Sequence, residues 1–344
     1  MKAVVLEANE KLTYKEIPTP EVQPGTVRVR VAVCGICGSD VPRVFDHAAH
    51  NYPIVLGHEF SGTIDAIGEG VSGLEVGMHV VAAPLIPCHE CPDCERGDYS
   101  LCGHYSFIGS RQQGAMADYV VVPAKNIVPI SKELSFEQAA TIEPATVAIH
   151  GLRLARFTAG KSVAVIGCGI IGLYAVQWAK LLGASSVVAI GRGDTGLNAA
   201  KELGADQALS TKSLTDEEFV KQLGGTKFDY VLECSGATQT LRLALQIVAK
   251  KGTVCMVGTP KKELSFTPAV WENINRKECW VTGAWMSYSA PFPGDEWRMS
   301  VAYMESGELR IVPGMVHGVY PMEQTAQAFA DIRQGVSGRC LLAN

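Results

Sequence analysis

The sequence lacks the features that would direct it to nucleic acid or to a membrane. Its formal net charge is -5 and its pI about 5.9, with basic and acidic residues mixed throughout, so no basic face is offered to nucleic acid or anionic lipid. No uninterrupted apolar run approaches the roughly 18 residues of a membrane span, and MKAVVLEANEKLTYKE has no apolar stretch before a cleavage site. We expect a cytoplasmic protein whose partners are small molecules or other proteins.

The chain also lacks a repeat of fixed period and any low-complexity tract. With 344 residues and 47% hydrophobic content, two domains are expected. Short β-type runs broken by Gly and Pro extend from Val27 to about Val128, whereas from Ser162 apolar strands alternate with amphipathic helices, as in SVAVIG, IIGLYAVQWAKLLGA and SVVAI. We predict an α/β fold: a doubly wound parallel sheet of Rossmann type in 143–283, and a β-rich domain from 1–142 and 284–344.

A glycine pattern closes the first of these predicted strands. Residues 167–172 read GCGIIG, which matches G-x-G-x-x-G, and a helical pattern follows directly. In this motif the backbone approaches a pyrophosphate, and the helix N-terminus meets the anion. The context of strand and helix favours dinucleotide binding over a chance glycine turn. The predicted cofactor-binding residues here are Gly167, Gly169, Ile170, Ile171 and Gly172.

The acid that usually contacts the adenine ribose is missing from the next strand. VVAIGRGD places Gly191 and Arg192 where Asp or Glu would repel a 2'-phosphate, and a small residue followed by arginine leaves room for that phosphate and supplies a charged fork. The sequence therefore favours NADP over NAD. The alternative is that Arg192 is only a solvated loop residue and Asp194 holds an unphosphorylated ribose.

Four of the eleven cysteines crowd into PCHECPDCERGDYSLC. Cys88, Cys91, Cys94 and Cys102 have the number and spacing of ligands in a closed tetrahedral zinc site, which would stabilise a lobe with little core of its own. An iron–sulfur cluster needs similar thiolates but gives no reason for the adjoining fold, and disulfides suit neither the compartment nor the spacing. We predict a structural zinc.

A second set of metal-binding side chains is dispersed along the chain. Cys37, His58, Glu59 and Glu143 lie in GICGSD, GHEF and IEPAT. Each alone has an ordinary structural explanation, but together they supply a thiolate, an imidazole and carboxylates, as in a zinc site that keeps a position open for substrate. Asp40 is predicted to accept the second N–H of His58.

These motifs, with GHEFSGTIDAIGEGV and VAVIGCGIIG, resemble the zinc-dependent medium-chain alcohol and polyol dehydrogenases from end to end. The resemblance implies a GroES-like catalytic domain, a Rossmann domain and a homodimer or homotetramer. It assigns the catalytic zinc to Cys37, His58 and Glu143, with Glu59 as a direct or exchangeable fourth ligand and Ser39 as proton relay. In such chemistry zinc stabilises an alkoxide, from which hydride passes to the nicotinamide.

One departure concerns the route of the proton. Alcohol dehydrogenases carry a histidine three residues after the relay hydroxyl, where this chain has Pro42. His47 and His50 are the neighbouring candidates for that role. The second departure is the Gly191-Arg192 pair, because of which cofactor choice cannot be taken over from the resemblance.

The segments YPIVLGHEFSG, FIGSR and WMSYSAPFPGDEW resemble the branch that oxidises sugar alcohol phosphates. A phosphate needs cationic side chains, and the predicted candidates are Arg43, Arg111, Arg276 and Lys277. Two aromatic residues, Trp285 and Tyr288, could line a substrate pocket or serve as core or subunit contact.

Other functions stay open at this point. One alternative is a dehydrogenase of an unphosphorylated polyol or vicinal diol, of the sorbitol, xylitol or butanediol type. Another is an inactive scaffold or binding protein, against which the intact set of Cys37, His58 and Glu143 argues. A zinc-dependent nucleic-acid binder is disfavoured by the acidic balance of the chain.

Overall fold

Residues 1–344 of the computed structural model form two units, each with its own core. The first comprises Met1–Glu143, Tyr288–Arg310 and Val316–Asn344, and the second Pro144–Ser287 with Ile311–Met315. These limits lie one residue after the first predicted boundary and four after the second. The short segment 311–315 joins the second unit because it packs there: a β-carbon on Gly314 would lie 2.9 Å from Thr195 Cγ2.

The first unit begins with strands and three short helices. The strands are β1 (Lys2–Ala8), β2 (Lys11–Glu16), β3 (Thr26–Gly35), β4 (Ile54–Val55), β5 (Glu59–Ile67), β6 (His79–Ala82), β7 (Leu85–Ile86), β8 (Ser106–Phe107), β9 (Tyr119–Pro123) and β10 (Ile127–Pro129). The helices are α1 (Asp40–Phe45), α2 (Pro92–Glu95) and α3 (Phe136–Ala139), with 3-10 turns at Tyr99–Leu101 and Ala124–Asn126. In β3 the alternation of valine with arginine produces the strand: Val27 and Val29 are buried, while Arg30 is exposed.

The second unit alternates helices and strands. They are α4 (Ile142–Leu154), β11 (Ser162–Ile166), α5 (Ile170–Leu181), β12 (Ser186–Gly191), α6 (Asp194–Glu202), β13 (Gln207–Ser210), α7 (Asp216–Gln222), β14 (Phe228–Glu233), α8 (Thr238–Ile247), β15 (Val248–Met256), α9 (Pro268–Lys277) and β16 (Trp280–Gly283). The strands form one parallel sheet in the order β13-β12-β11-β14-β15-β16. The order reverses beside β11, and such a switch point is where open α/β sheets bind ligands.

The chain then returns to the first unit through α10 (Asp295–Glu305), β17 (Val316–Pro321), a 3-10 turn at Met322–Gln324, α11 (Thr325–Gln334) and β18 (Arg339–Ala343). The larger sheet of this unit has the order β10-β6-β5-β3-β18-β17, with β9 also paired to β3. Smaller sheets join β2-β1-β4 and β7-β8. The C-terminal strand thus lies directly beside β3.

Each unit has an apolar core of its own. Val29, Ile64 and Phe329 belong to the core of the first unit, and Phe228 and Val254 to that of the second. No helix is both long enough and apolar enough to cross a lipid bilayer. The α/β class and the β-rich second fold predicted from the strand and helix patterns are confirmed.

Candidate metal and cofactor sites

Two neighbouring strands bring the dispersed metal-binding residues together. Cys37 lies two residues after β3, His58 directly precedes β5, and Glu59 is the first residue of β5, which pairs with β3 in antiparallel register. Gly57 precedes His58 with a φ of 98°, and a β-carbon there would lie 2.7 Å from Cys34 Sγ. Glycine adopts this positive φ without strain and leaves room for the Cys34 sulfur. Gly57 therefore allows the turn that directs His58 toward Cys37.

The donor atoms of this group suit a metal cation. One ligand atom each from Cys37, His58 and Glu59 lie within 4.8 Å of one another. His58 Nδ1 and both carboxylate oxygens of Glu59 are buried and have no hydrogen-bond partner in the protein. Buried polar atoms are rarely left unpaired, and a thiolate, an imidazole and a carboxylate are the ligands that zinc takes.

Glu143 lies near this group but outside its tightest set. Burial, then the neighbouring Glu59, raises the pKa of Glu143 to about 8. Burial and Glu59 likewise raise the pKa of the Cys37 thiol to about 12. The site therefore concentrates acidic groups away from water, where a bound cation would favour their charged forms.

One cation of the protein itself faces these acids. Arg339, at the start of β18, places Nη2 3.1 Å from Glu59 Oε1, and its Nη1 donates to the Ile36 carbonyl at 2.8 Å. Its side chain is only 10% exposed. Sequence reasoning missed Arg339; the available signal was an arginine at the head of the apolar run RCLLA.

Asp40 lies beside His58 as expected, with 3.7 Å between Asp40 Oδ1 and His58 Nδ1, a distance too long for a hydrogen bond. The buried carboxylate instead accepts from the Cys37 N–H at 3.1 Å and from Arg43 Nη1 at 3.1 Å. Asp40 therefore fixes the backbone that carries Cys37.

The hydroxyl of Ser39 is exposed and accepts a hydrogen bond from Arg43 Nη1 at 2.9 Å. A guanidinium only donates, so it orients Ser39 but offers no route for a proton. Of the two candidate histidines, His47 is exposed and its backbone N–H donates to Asn9 Oδ1 at 2.9 Å. The pKa of His50 is lowered by desolvation, then by Arg111 and Arg43.

The four clustered cysteines form a compact group. Their sulfur atoms all lie within 4.8 Å of one another, with Cys88 Sγ 3.5 Å from Cys102 Sγ and 3.9 Å from Cys94 Sγ. Tetrahedral zinc with Zn–S bonds of about 2.3 Å requires S–S separations of about 3.8 Å, so the arrangement suits zinc. Helix α2 and the turn after it set this geometry, and Cys94 and Cys102 are buried.

The glycine motif lines a cavity of about 370 Å³ in the second unit. Gly167 and Gly169 line it between β11 and α5, and Gly191 and Arg192 line it after β12. The other predicted residues, Ile170, Ile171 and Gly172, form the first turn of α5 and are not among the lining residues. A β-carbon on Gly172 would lie 1.8 Å from the Gly167 carbonyl oxygen, so glycine is required for the close turn.

The cavity wall also includes residues that the sequence analysis did not single out. They include Cys168, Thr211 and Ser235, of which Ser235 follows β14. Their signal was the position after a predicted parallel strand, where ligands collect. Asp194 does not line the cavity.

Arg111, Trp285 and Tyr288, the residues predicted to contact substrate, have different surroundings. Arg111 is exposed, and its guanidinium stacks on the Tyr105 ring at 4.5 Å. Trp285, in the second unit, is 53% exposed. Tyr288 is buried in the first unit, where its hydroxyl accepts from the Leu85 N–H at 3.2 Å and its ring stacks with Trp297.

Arg276 and Lys277 have other partners. Arg276 Nε lies 2.6 Å from Glu272 Oε2 on the same helix. Lys277 Nζ donates to the carbonyls of Leu245 and Gln246 at 3.0 and 2.8 Å, at the end of α8. These two cations stabilise helices of the second unit, so the structure gives them no role in holding substrate.

A GroES-like β unit with cysteine-rich metal sites and a parallel-sheet unit with a dinucleotide loop define a class, the zinc-dependent dehydrogenases. The Alcohol dehydrogenase GroES-like domain family matches residues 23–132, and the Zinc-binding dehydrogenase family matches residues 171–302. Galactitol 1-phosphate 5-dehydrogenase of Escherichia coli (strain K12) is 41% identical over 346 residues, 99% of each chain. The chain belongs to the zinc-dependent medium-chain dehydrogenase family, and the resemblance seen in its motifs is confirmed.

One further curated relative and two solved structures are also similar to this chain over nearly its whole length. The crystal structure of galactitol-1-phosphate dehydrogenase from Escherichia coli matches with a TM-score of 0.95 and 41% identity, covering 100% of both chains. Sorbitol dehydrogenase of Halalkalibacterium halodurans is 31% identical over 348 residues, 99% of each chain. A structure from Sinorhizobium meliloti 1021 bound to NADP matches with a TM-score of 0.91 and 28% identity, covering 100% of this chain and 99% of that one.

Proposed function

We propose that this enzyme oxidises a secondary hydroxyl of a sugar alcohol phosphate, of the galactitol 1-phosphate type, to the ketose phosphate. The observation that carries the proposal is the buried group of Cys37, His58 and Glu59, in which His58 Nδ1 and Glu59 Oε2 have no protein partner, in a chain 41% identical to a galactitol 1-phosphate 5-dehydrogenase. An inactive scaffold would have no need of such an open ligand set.

Cys37, His58 and Glu59, with Glu143 nearby, would hold the catalytic zinc. When bound, zinc supplies a Lewis acid that favours loss of the proton from a substrate hydroxyl. Arg339 offsets part of the acidic charge and fixes the Glu59 carboxylate from one side. Ser39, oriented by Arg43, would accept the hydroxyl proton of the substrate and release its own proton to water at the exposed edge of the site.

Cys88, Cys91, Cys94 and Cys102 would hold a second, structural zinc. All four positions of a tetrahedral ion are then filled by thiolates, so no position remains for substrate. Two zinc ions per chain therefore follow from the two groups.

We infer that the nicotinamide cofactor is NADP. The cofactor supplies the hydride acceptor, and the glycine loop of the second unit would hold its pyrophosphate. Arg192 lines the cavity and Asp194 does not, which favours an arginine beside the ribose over an acid. The Sinorhizobium meliloti structure bound to NADP is a relative with the same fold.

Gly191 supports this choice less directly. A β-carbon on Gly191 would lie 2.9 Å from Cys168 Sγ, so packing against the glycine loop is by itself a reason for glycine at this position. The cofactor preference therefore depends chiefly on Arg192, and NAD is the alternative.

An unphosphorylated polyol is the second candidate substrate. Sorbitol dehydrogenase of Halalkalibacterium halodurans, a relative at 31% identity, supports it. The metal-ligand group serves both substrates, because both present a secondary hydroxyl.

We further infer a homodimer or homotetramer. β16 forms one edge of the parallel sheet, where Trp280 and Val281 are 65% and 43% exposed, and Trp285, two residues after the strand, is 53% exposed. An open, apolar edge strand is suited to pairing with a second copy. Size-exclusion chromatography with light scattering gives the number of subunits, and Trp280→Lys is expected to shift the assembly toward monomer.

The substrate and cofactor proposals are tested together by initial rates. Galactitol 1-phosphate and galactitol are each supplied with NADP and with NAD, and reduced nicotinamide is followed by absorbance. The proposal expects the highest kcat/KM with galactitol 1-phosphate and NADP. A higher kcat/KM with galactitol would favour the unphosphorylated polyol, and a higher value with NAD would exclude recognition of the 2'-phosphate by Arg192.

A further inference from the structure

Two arginines and a histidine of the first unit lie close to the metal-ligand group. We propose that Arg43, His50 and Arg111, the phosphate cluster, form the subsite that binds the phosphate of the substrate. This inference rests on the proposed function, since it assigns residues to the phosphorylated end of the sugar alcohol.

Arg43 is held beside the metal-ligand group by two hydrogen bonds. Its Nη1 donates to Ser39 Oγ at 2.9 Å and to Asp40 Oδ1 at 3.1 Å, and Asp40 also binds the backbone of Cys37. The side chain is 16% exposed. Its Nε and Nη2 make no hydrogen bond within the protein. The guanidinium is thus fixed in place with donors left for a ligand.

Arg111 comes from a second segment that is anchored beside His58. The Arg111 N–H donates to the Phe107 carbonyl at 2.9 Å, closing a turn whose Phe107 ring lies 5.4 Å from the His58 ring. A β-carbon on Gly109 would lie 2.2 Å from the Gly57 carbonyl oxygen, so this turn packs directly on the backbone before His58. Arg111 is therefore carried by the same local structure as a metal ligand.

The charge of Arg111 is not balanced by any acid. Its guanidinium stacks on Tyr105 and donates a 3.3 Å hydrogen bond to the Tyr105 hydroxyl, and no carboxylate forms an ion pair with it. The charge of Arg43, by contrast, is offset by the buried Asp40. An anion bound here would compensate Arg111 and use the remaining donors of Arg43.

His50 is the third member of the phosphate cluster. Desolvation lowers the pKa of its imidazole, and the charges of Arg111 and Arg43 lower it further, so both arginines lie within electrostatic range of His50. A neutral imidazole still offers one N–H to an anion. Two arginine forks and an imidazole are donors that suit the three oxygens of a phosphomonoester.

A phosphate bound in this position belongs to the substrate rather than to the cofactor. The 2'-phosphate of NADP is assigned to Arg192, in the second unit, whereas the phosphate cluster lies in the first unit with the metal ligands. A sugar alcohol phosphate carries its hydroxyls and its phosphate on one chain, so a single ligand can occupy both the metal site and the phosphate cluster.

The test uses the zinc-loaded enzyme and the variant Arg111→Gln, which removes the charge of an exposed side chain without breaking an ion pair. We measure kcat/KM for galactitol 1-phosphate and for galactitol, and the Kd of NADP by calorimetry. Arg111→Lys tests for partial rescue. Arg30→Gln is the matched control, because Arg30 is an exposed arginine of β3 in the same unit.

For Arg111→Gln we expect kcat/KM for galactitol 1-phosphate to fall by roughly 10- to 100-fold, mainly through KM, as for loss of a hydrogen bond to a charged group. The rate with galactitol and the Kd of NADP should be unchanged, and Arg30→Gln should match wild type. If wild type prefers the phosphorylated substrate and Arg111→Gln keeps that preference, the phosphate cluster is wrong. A wild-type enzyme without the preference contradicts the proposed substrate and the cluster with it, and a weakened Kd for NADP assigns Arg111 to the cofactor.

Discussion

Replacing Arg339 by methionine tests how the first unit tolerates its buried acids. The Arg339 guanidinium lies 3.1 Å from Glu59 Oε1 and donates to the Ile36 carbonyl at 2.8 Å, with only 10% of the side chain exposed. Methionine keeps an unbranched apolar stem and removes the charge. Glu59 would then be buried without a cation of the protein beside it.

The expected cost is large in the metal-free protein. Removing one partner of a buried ion pair costs about 3–5 kcal/mol of folding free energy. The unpaired Ile36 carbonyl accounts for about 1–3 kcal/mol more if it stays buried. Because both contacts belong to one guanidinium and their contributions are not additive, we expect a loss of at least about 4 kcal/mol. Bound zinc supplies positive charge to the same acids, so the loss should be smaller in the zinc-loaded protein.

Urea unfolding followed by circular dichroism measures both values, with and without a chelator. Arg298→Met is the control, since its pair with Asp295 is about half exposed and should contribute less than about 1 kcal/mol. A metal-free Arg339→Met protein within about 1 kcal/mol of wild type would refute the reasoning. So would an equal loss with and without zinc.

Three further predictions concern the metal sites and the glycine loop. Cys37→Ser should abolish activity while the circular dichroism spectrum stays native. Cys94→Ser should instead lower the melting temperature and the solubility, and a Cys94→Ser protein with wild-type melting temperature and solubility would contradict a structural zinc at the four cysteines. Gly172→Ala would place a β-carbon 1.8 Å from the Gly167 carbonyl oxygen, so the Kd for NADP should rise at least about tenfold, and an unchanged Kd by calorimetry would contradict the required close turn. Burial raises the pKa of Cys168 to about 11, and Cys168 lines the cofactor cavity. Its alkylation by iodoacetamide, followed by mass spectrometry, should therefore be slow at neutral pH, accelerate as the pH rises toward that pKa, and be blocked by NADP. Rapid labelling at neutral pH would contradict this prediction.

The local motifs carried most of what the sequence could predict. The cysteine spacing and the glycine motif each depend on a few consecutive residues, so their geometry follows from short-range structure. The family resemblance followed from such motifs and the fold class from the alternation of strand and helix patterns, and both are confirmed.

Contacts between distant segments could not be predicted in the same way. The pairing of Arg339 with Glu59 arises because β18 lies beside β3, which no local pattern specifies. The burial of Tyr288 likewise depends on its packing against Trp297 in the folded chain. An aromatic residue in an irregular segment has no periodicity that distinguishes a pocket wall from a core position.

The position of Arg111 shows the same limit. FIGSR suggested a substrate contact, but the sequence could not show that its turn packs against Gly57, or that Arg43 and His50 lie nearby. Charge alone made Arg276 and Lys277 equal candidates, and only the structure shows that Arg276 pairs within α9 while Lys277 donates to carbonyls at the end of α8.

The most direct test of the account is the zinc content per chain, by elemental analysis, of wild type and of Cys37→Ser. Two separate ligand groups predict two zinc ions per wild-type chain, and one in the variant, with dehydrogenase activity lost along with the missing ion. One zinc per chain in both proteins, or full activity in a Cys37→Ser enzyme that holds a single zinc, would contradict a catalytic metal at Cys37, His58 and Glu59.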